Sequence, residues 1–116
     1  MKIWFITIRN EAALDEEGSP ELSNITLPLS PSEGVDHIVK VVEGMPRWQV
    51  ESRNRDAGSI HLTRRTRLWG FVDDIHLSLE PVENGSRLHG RSRGRIGLTD
   101  FGQNRRNLRE LIRAIQ

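Results

Sequence analysis

The sequence predicts an α+β domain: a single antiparallel sheet of about five strands with two helices packed on one face. Three observations predict it. Apolar residues recur with period two from Arg47 to Arg95, two segments outside that stretch carry helical periodicity, and nowhere do strands and helices alternate as a parallel sheet would require. The expected order is β-α-β-β-β-β-α within one domain spanning residues 1–116.

Residues 2–9, rich in Ile, Trp, Phe and Thr, read as the first strand. Their apolar run stops at Arg9 with no small-residue cleavage site, so a strand is preferred to a secretion signal. Residues 10–29 contain acids, Gly18, Pro20 and Pro28 without steady periodicity and read as a long acidic loop.

The first helix carries start and stop signals. Ser30 can cap it, Pro31 suits its first position, Glu33 can close a capping box onto Ser30, and Gly44 and Pro46 end it. Val35, Ile38, Val39 and Val42 share one face.

Trp48, Val50 and Ser52 then alternate with Gln49, Glu51 and Arg53, and a turn at 54–58 leads to a partner strand carrying Ile60 and Leu62. A third strand runs from about Trp69 to Glu80. A fourth runs from Ser86 to Arg95. Asn84-Gly85 between them is a strong signal for a two-residue hairpin loop, because type I′ turns need positive φ at both central positions. The final helix should begin near Gln103 behind an Asp100 cap, with Leu108, Leu111, Ile112 and Ile115 as its apolar stripe.

With Asn84-Gly85 as the loop, Glu80 faces His89, Ser78 faces Arg91, His76 faces Arg93, and Asp74 faces Arg95, all on one polar side of the sheet. The other side carries Ile75, Leu77, Leu79 and Leu88 with Gly90, Ser92 and Gly94, whose small size admits a helix. Asp73 falls on that covered side. Arg105 or backbone amides are its expected partners there.

Composition excludes several chemistries. The chain has no Cys, which removes thiolate catalysis and Cys-based zinc sites and is compatible with a reducing, cytoplasmic setting. No apolar run approaches the ~20 residues of a membrane-spanning helix. Net charge is +1 but unevenly spread: residues 10–36 hold seven acids and no Lys or Arg, whereas residues 87–113 hold eight Arg against Asp100 and Glu110. No P-loop, GxSxG, GxGxxG or HExxH pattern occurs, the His residues lack metal-ligand spacing, and folding needs no cofactor. Near-zero net charge, the lack of Tyr, and aromatics better placed for the core (Trp4, Phe5, Trp48, Trp69, Phe71, Phe101) argue against nucleic acid as a partner.

Three ordered motifs carry a family resemblance: Gly70-Phe71-Val72-Asp73-Asp74, Arg91-Ser92-Arg93-Gly94-Arg95-Ile96-Gly97 and Asp100-Phe101-Gly102-Gln103-Asn104-Arg105. They resemble the G-F-x-D-D, R-S-x-S-R-x-G and D-x-G-x-N-R signature of the bacterial family catalogued as domain of unknown function 1499. The resemblance extends weakly back to about residue 30. Gly94 stands where that family usually has a second Ser, and the membrane or lipoprotein segment and Cys-containing stretch with which members tend to begin are not seen here. The resemblance implies a site location and no chemistry, since the family brings no established activity.

The residues themselves suggest a non-enzymatic binding or scaffolding module for an anionic small ligand or a protein partner. Its candidate ligand-binding residues are Asp74, Arg91, Arg93, Arg95, Asp100, Asn104 and Arg105, because guanidinium forks suit carboxylate or phosphate. The alternative is an enzyme using an Asp/Arg cluster, with or without a metal. Asp73 and Asp74 are adjacent on a strand and point to opposite faces, which disfavours a paired-acid mechanism.

Overall fold

In the computed structural model the described residues are 13–14, 20–65, 70–95 and 101–115. In chain order they form β1 (Ala13–Leu14), β2 (Pro20–Leu27), α1 (Pro31–Val42), β3 (Trp48–Asn54), β4 (Ser59–Arg65), β5 (Val72–Val82), β6 (Gly85–Gly94) and α2 (Phe101–Ile115). One sheet contains every strand in the order β1-β2-β6-β5-β4-β3, with every neighbouring pair antiparallel. Apart from the two-residue β1, this is the expected β-α-β-β-β-β-α arrangement.

The first strand of that arrangement comes from an unexpected segment. Pro20–Leu27, expected as loop, pairs with β6 across a bulge between Leu22 and Ile25. Ile25 and Leu27 are buried and Thr26 between them is exposed, so the period-two pattern is present but short and crowded by Pro20, Asn24 and Pro28. The strand expected at 2–9 lies outside the described residues, as does the Asp100 cap. Helix α2 begins at Phe101, two residues before the position expected.

Helix α1 forms as its sequence dictates. Ser30 Oγ accepts from the Glu33 amide at 3.2 Å, the Glu33 carboxylate accepts from the Ser30 amide at 3.2 Å, and Pro31 opens the helix. Gly34 lets α1 lie close on the sheet, because a Cβ there would stand 2.8 Å from Leu79 Cδ1. The core is the layer between the sheet and the two helices. Val35, Ile38, Val39 and Val42 from α1 and Leu108, Leu111, Ile112 and Ile115 from α2 pack against Ile25, Ile60, Leu62, Ile75, Leu77, Leu79 and Leu88. His37 Nε2 joins the two helices at 2.8 Å from the Ile115 carbonyl oxygen. Phe71, expected in the core, is exposed.

The β5–β6 hairpin corrects the expected register. Its loop is Glu83-Asn84, with Asn84 in the left-handed region at φ 70°, and Gly85 pairs with Val82 inside the ladder. Gly85 is needed there, because a Cβ would collide with the Leu27 carbonyl of the neighbouring strand. Asp74 therefore stands opposite Arg93, His76 opposite Arg91, Ser78 opposite His89, and Glu80 opposite Arg87. The slip is by two residues. Side chains repeat every two residues, so the division of residues between the two faces is unchanged.

Among the described residues no helix is long and apolar enough to cross a membrane.

Candidate functional site

The two faces of β5 and β6 hold two polar clusters of different character. On the open face, Arg91, Arg93 and Arg95 recur at alternate positions beside Asp74 and His76. Together with Gly94 these residues line a cleft of about 420 Å³. Asp74 is the hub of this face. Its carboxylate accepts from Arg95 Nε at 2.9 Å and from Arg95 Nη2 at 3.1 Å, a bidentate pair made diagonally across the ladder. His61 Nε2 on β4 lies 2.7 Å from Asp74 Oδ1. The His61 ring stacks on that of its cross-strand partner His76, with centroids 4.3 Å apart and planes 10° from parallel.

These contacts set the charges of the cleft. The Arg95 hydrogen bonds hold the Asp74 carboxyl below its ordinary value, with His61 acting the same way and burial opposing. Burial holds His76 below the ordinary histidine value, and His61 and Arg91 add to the effect against the pull of Asp74. The cleft is thus lined by three guanidiniums and by the carboxylate that Arg95 engages. Along the same face His89 Nε2 lies 3.0 Å from Glu80 Oε1, and Thr63 Oγ1 donates to Glu51 at 2.7 Å.

On the covered face, each motif contributes a side chain to a buried network. Asp73, Ser92, Asn104 and Asn107 are all buried. Ser92 Oγ donates to Asn104 Oδ1 at 2.7 Å, and Asn107 Nδ2 reaches both Asp73 Oδ2 at 2.7 Å and Ser92 Oγ at 3.2 Å. Gln103 Nε2 closes the chain onto Asn107 Oδ1 at 2.7 Å. Asp73 Oδ1 has no hydrogen-bond partner among the described residues. Burial pushes the Asp73 carboxyl up, opposed by the Asn107 hydrogen bond and the charge of Arg64.

The expected site therefore divides. Asp74, Arg91, Arg93 and Arg95 come together on the open face, whereas Asn104 is buried beneath the sheet and belongs to the network. Arg105 lies on α2 and is not among the residues lining the cleft. Asp100 lies outside the described residues. The hydrogen-bond partner of Asp73 is Asn107 rather than Arg105.

The expected site omitted His76, which lines the cleft, as well as His61 and Asn107, which hydrogen-bond Asp74 and Asp73. His61 reads as a surface residue until β4 and β5 are in register, whereas Asn107 could have been found from spacing. It lies four residues before Leu111, as Asn104 does before Leu108, so both asparagines continue the apolar stripe of α2 into the buried layer. No group of His, Asp or Glu among the described residues is placed to hold a metal.

Two crystal structures share the architecture. Protein CV1439 from Chromobacterium violaceum is 11% identical, with a TM-score of 0.50 over 84% of this chain and 94% of that one. Ara h 8.0201 is 10% identical, with a TM-score of 0.53 over 84% of this chain and 93% of that one. At such identity the likeness shows the fold alone. No curated protein matches the sequence. The family described as "Protein of unknown function (DUF1499)" matches residues 8–115, and the chain belongs to it.

Proposed function

We propose that the protein is a non-enzymatic binding module whose open sheet face takes a small anion bearing carboxylate or phosphate groups. The observation that carries this reading is the cleft of about 420 Å³ lined by Arg91, Arg93 and Arg95. Its volume suits a small ligand, and guanidinium forks at alternate positions of one strand can address two oxygens of one anionic group. Asp74 supports the reading by engaging Arg95 in two hydrogen bonds, which orients that guanidinium at the rim. The helices cover the opposite face and leave this one open. A cytoplasmic setting, supported by the lack of Cys, belongs to the same proposal.

Thermal unfolding in increasing inorganic phosphate or citrate tests the reading. A saturable rise in Tm that disappears in the Arg91→Ala/Arg93→Ala double variant is expected. Equal rises in both proteins, or none in either, would overturn it.

A further inference from the structure

We propose a second anion site, separate from the first: a groove along α2 that takes an acidic segment of a partner protein. The groove has a volume of about 450 Å³ and is lined by Arg64, Gln103, Arg106, Arg109, Glu110 and Arg113. It lies on the helix side of the sheet. Arg64 stands across the ladder from Asp73, which faces the buried network, whereas the first cleft opens on the Asp74 side.

The charges of this groove are unbalanced within the helix itself. Arg109 has Arg105, Arg106 and Arg113 as its neighbours four before, three before and four after, so the side chains closest to it along the helix are mostly cations. Glu110, the acid among the described residues that lines the groove, is engaged: it accepts from Arg64 Nε at 2.9 Å, and the Arg64 side chain is only 12% exposed. Arg106 Nη2 donates to Gln103 Oε1 at 3.1 Å, and Gln103 is anchored in turn on buried Asn107. One wall of the groove is therefore fixed by the core, while Arg109 and Arg113 are exposed.

Like-charge neighbours at these spacings cost helix stability, and a bound polyanion would relieve that cost. Along the axis, Arg106, Arg109 and Arg113 span about 10 Å at ~1.5 Å per residue. In an extended peptide, alternate side chains repeat every ~6.6 Å. Two or three alternate Asp or Glu residues therefore match the row, each able to accept a bidentate guanidinium. Among the described residues the groove has no aromatic lining on which bases could stack, which favours an acidic peptide over a single-stranded nucleic acid.

Fluorescence anisotropy with a labelled octaglutamate peptide at low salt tests the proposal on the full chain. Arg109→Gln/Arg113→Gln should raise Kd roughly tenfold or more, since two charge-assisted contacts are lost. Arg91→Ala/Arg93→Ala should leave Kd unchanged within about twofold. An octathymidylate should bind more weakly than the peptide. The proposal is overturned if the peptide does not bind, if its binding survives the helix substitutions, if it depends on Arg91 and Arg93 instead, or if the oligonucleotide binds as tightly. The outcome is independent of phosphate binding at the first cleft, so each site can fail without the other.

Discussion

Asp73 and Gly94 stand directly opposite each other in the β5–β6 ladder, on the side of the sheet that the helices cover. The carboxyl is fully buried, and its Oδ1 has no donor among the described residues. Position 94, where the motif resemblance read from the sequence implies a Ser, is thus the one that faces an unsatisfied oxygen.

A hydroxyl at position 94 would lie within reach of that oxygen, because directly opposed Cβ atoms are ~4.5–5.5 Å apart. Gly94→Ser is expected to stabilise the protein by about 1 kcal/mol, raising Tm by about 4 °C. Gly94→Ala adds strand propensity without a donor and should gain less. A lower Tm for the serine variant than for the alanine variant in differential scanning calorimetry would remove the inferred hydrogen bond.

Asp73 also predicts a pH dependence. Burial raises its carboxyl above the ordinary 3.8, so its contribution to stability is complete below that pH and is lost as pH climbs through the raised value. Asn at this position cannot ionise and can still accept from Asn107. The difference in Tm between Asp73→Asn and the parent should therefore move in favour of the variant from pH 3.5 to pH 7. A constant difference across that range contradicts the assignment.

Ser92 ties strand β6 to helix α2. Ser92→Ala leaves Asn104 Oδ1 without its donor and removes an acceptor from Asn107 in a site with no access to water. Chemical unfolding should report a loss of about 1–3 kcal/mol with an unchanged m-value. A loss below about 0.5 kcal/mol would mean that the network does not help hold α2 to the sheet.

Much of this arrangement was legible before the fold was known. The Ser30, Pro31 and Glu33 signals set the start of α1, since capping is local chemistry. Which residues share the open face was legible too, because it depends on the parity of β5 and β6, and parity survives a register slip of two. The register itself was not. Asn84 takes the second loop position, and Gly85 enters the ladder where β2 presses against it, a tertiary contact that no hairpin rule contains. Strand β2 was hidden for a related reason: it owes its conformation to pairing with β6 rather than to its own composition. Asp74 and Arg95 still meet because a long side chain bridges the diagonal. The buried network was the least legible part. Spacing puts Asn104 and Asn107 in line with the apolar stripe of α2, but what these polar residues bond there depends on Ser92 and Asp73 beneath them, which only the tertiary fold supplies.

His76 makes a second prediction with pH. Burial, His61 and Arg91 hold its pKa below 6.5 against the opposing charge of Asp74, so the folded protein keeps it neutral where the unfolded chain would protonate it. Its contribution to stability is complete above pH 6.5 and is lost as pH falls through the lowered value. His76→Gln should therefore lose less Tm than the parent between pH 7 and pH 5. A His76 ring titrating at or above 6.5 by NMR would contradict this.

Site-resolved NMR during a titration with inorganic phosphate tests the central claim, that the open face of the sheet is the anion site. Saturable shifts centred on His76, Arg91, Arg93 and Arg95 are the predicted result. Saturation with those four residues unmoved, or no saturable shift anywhere, would contradict it.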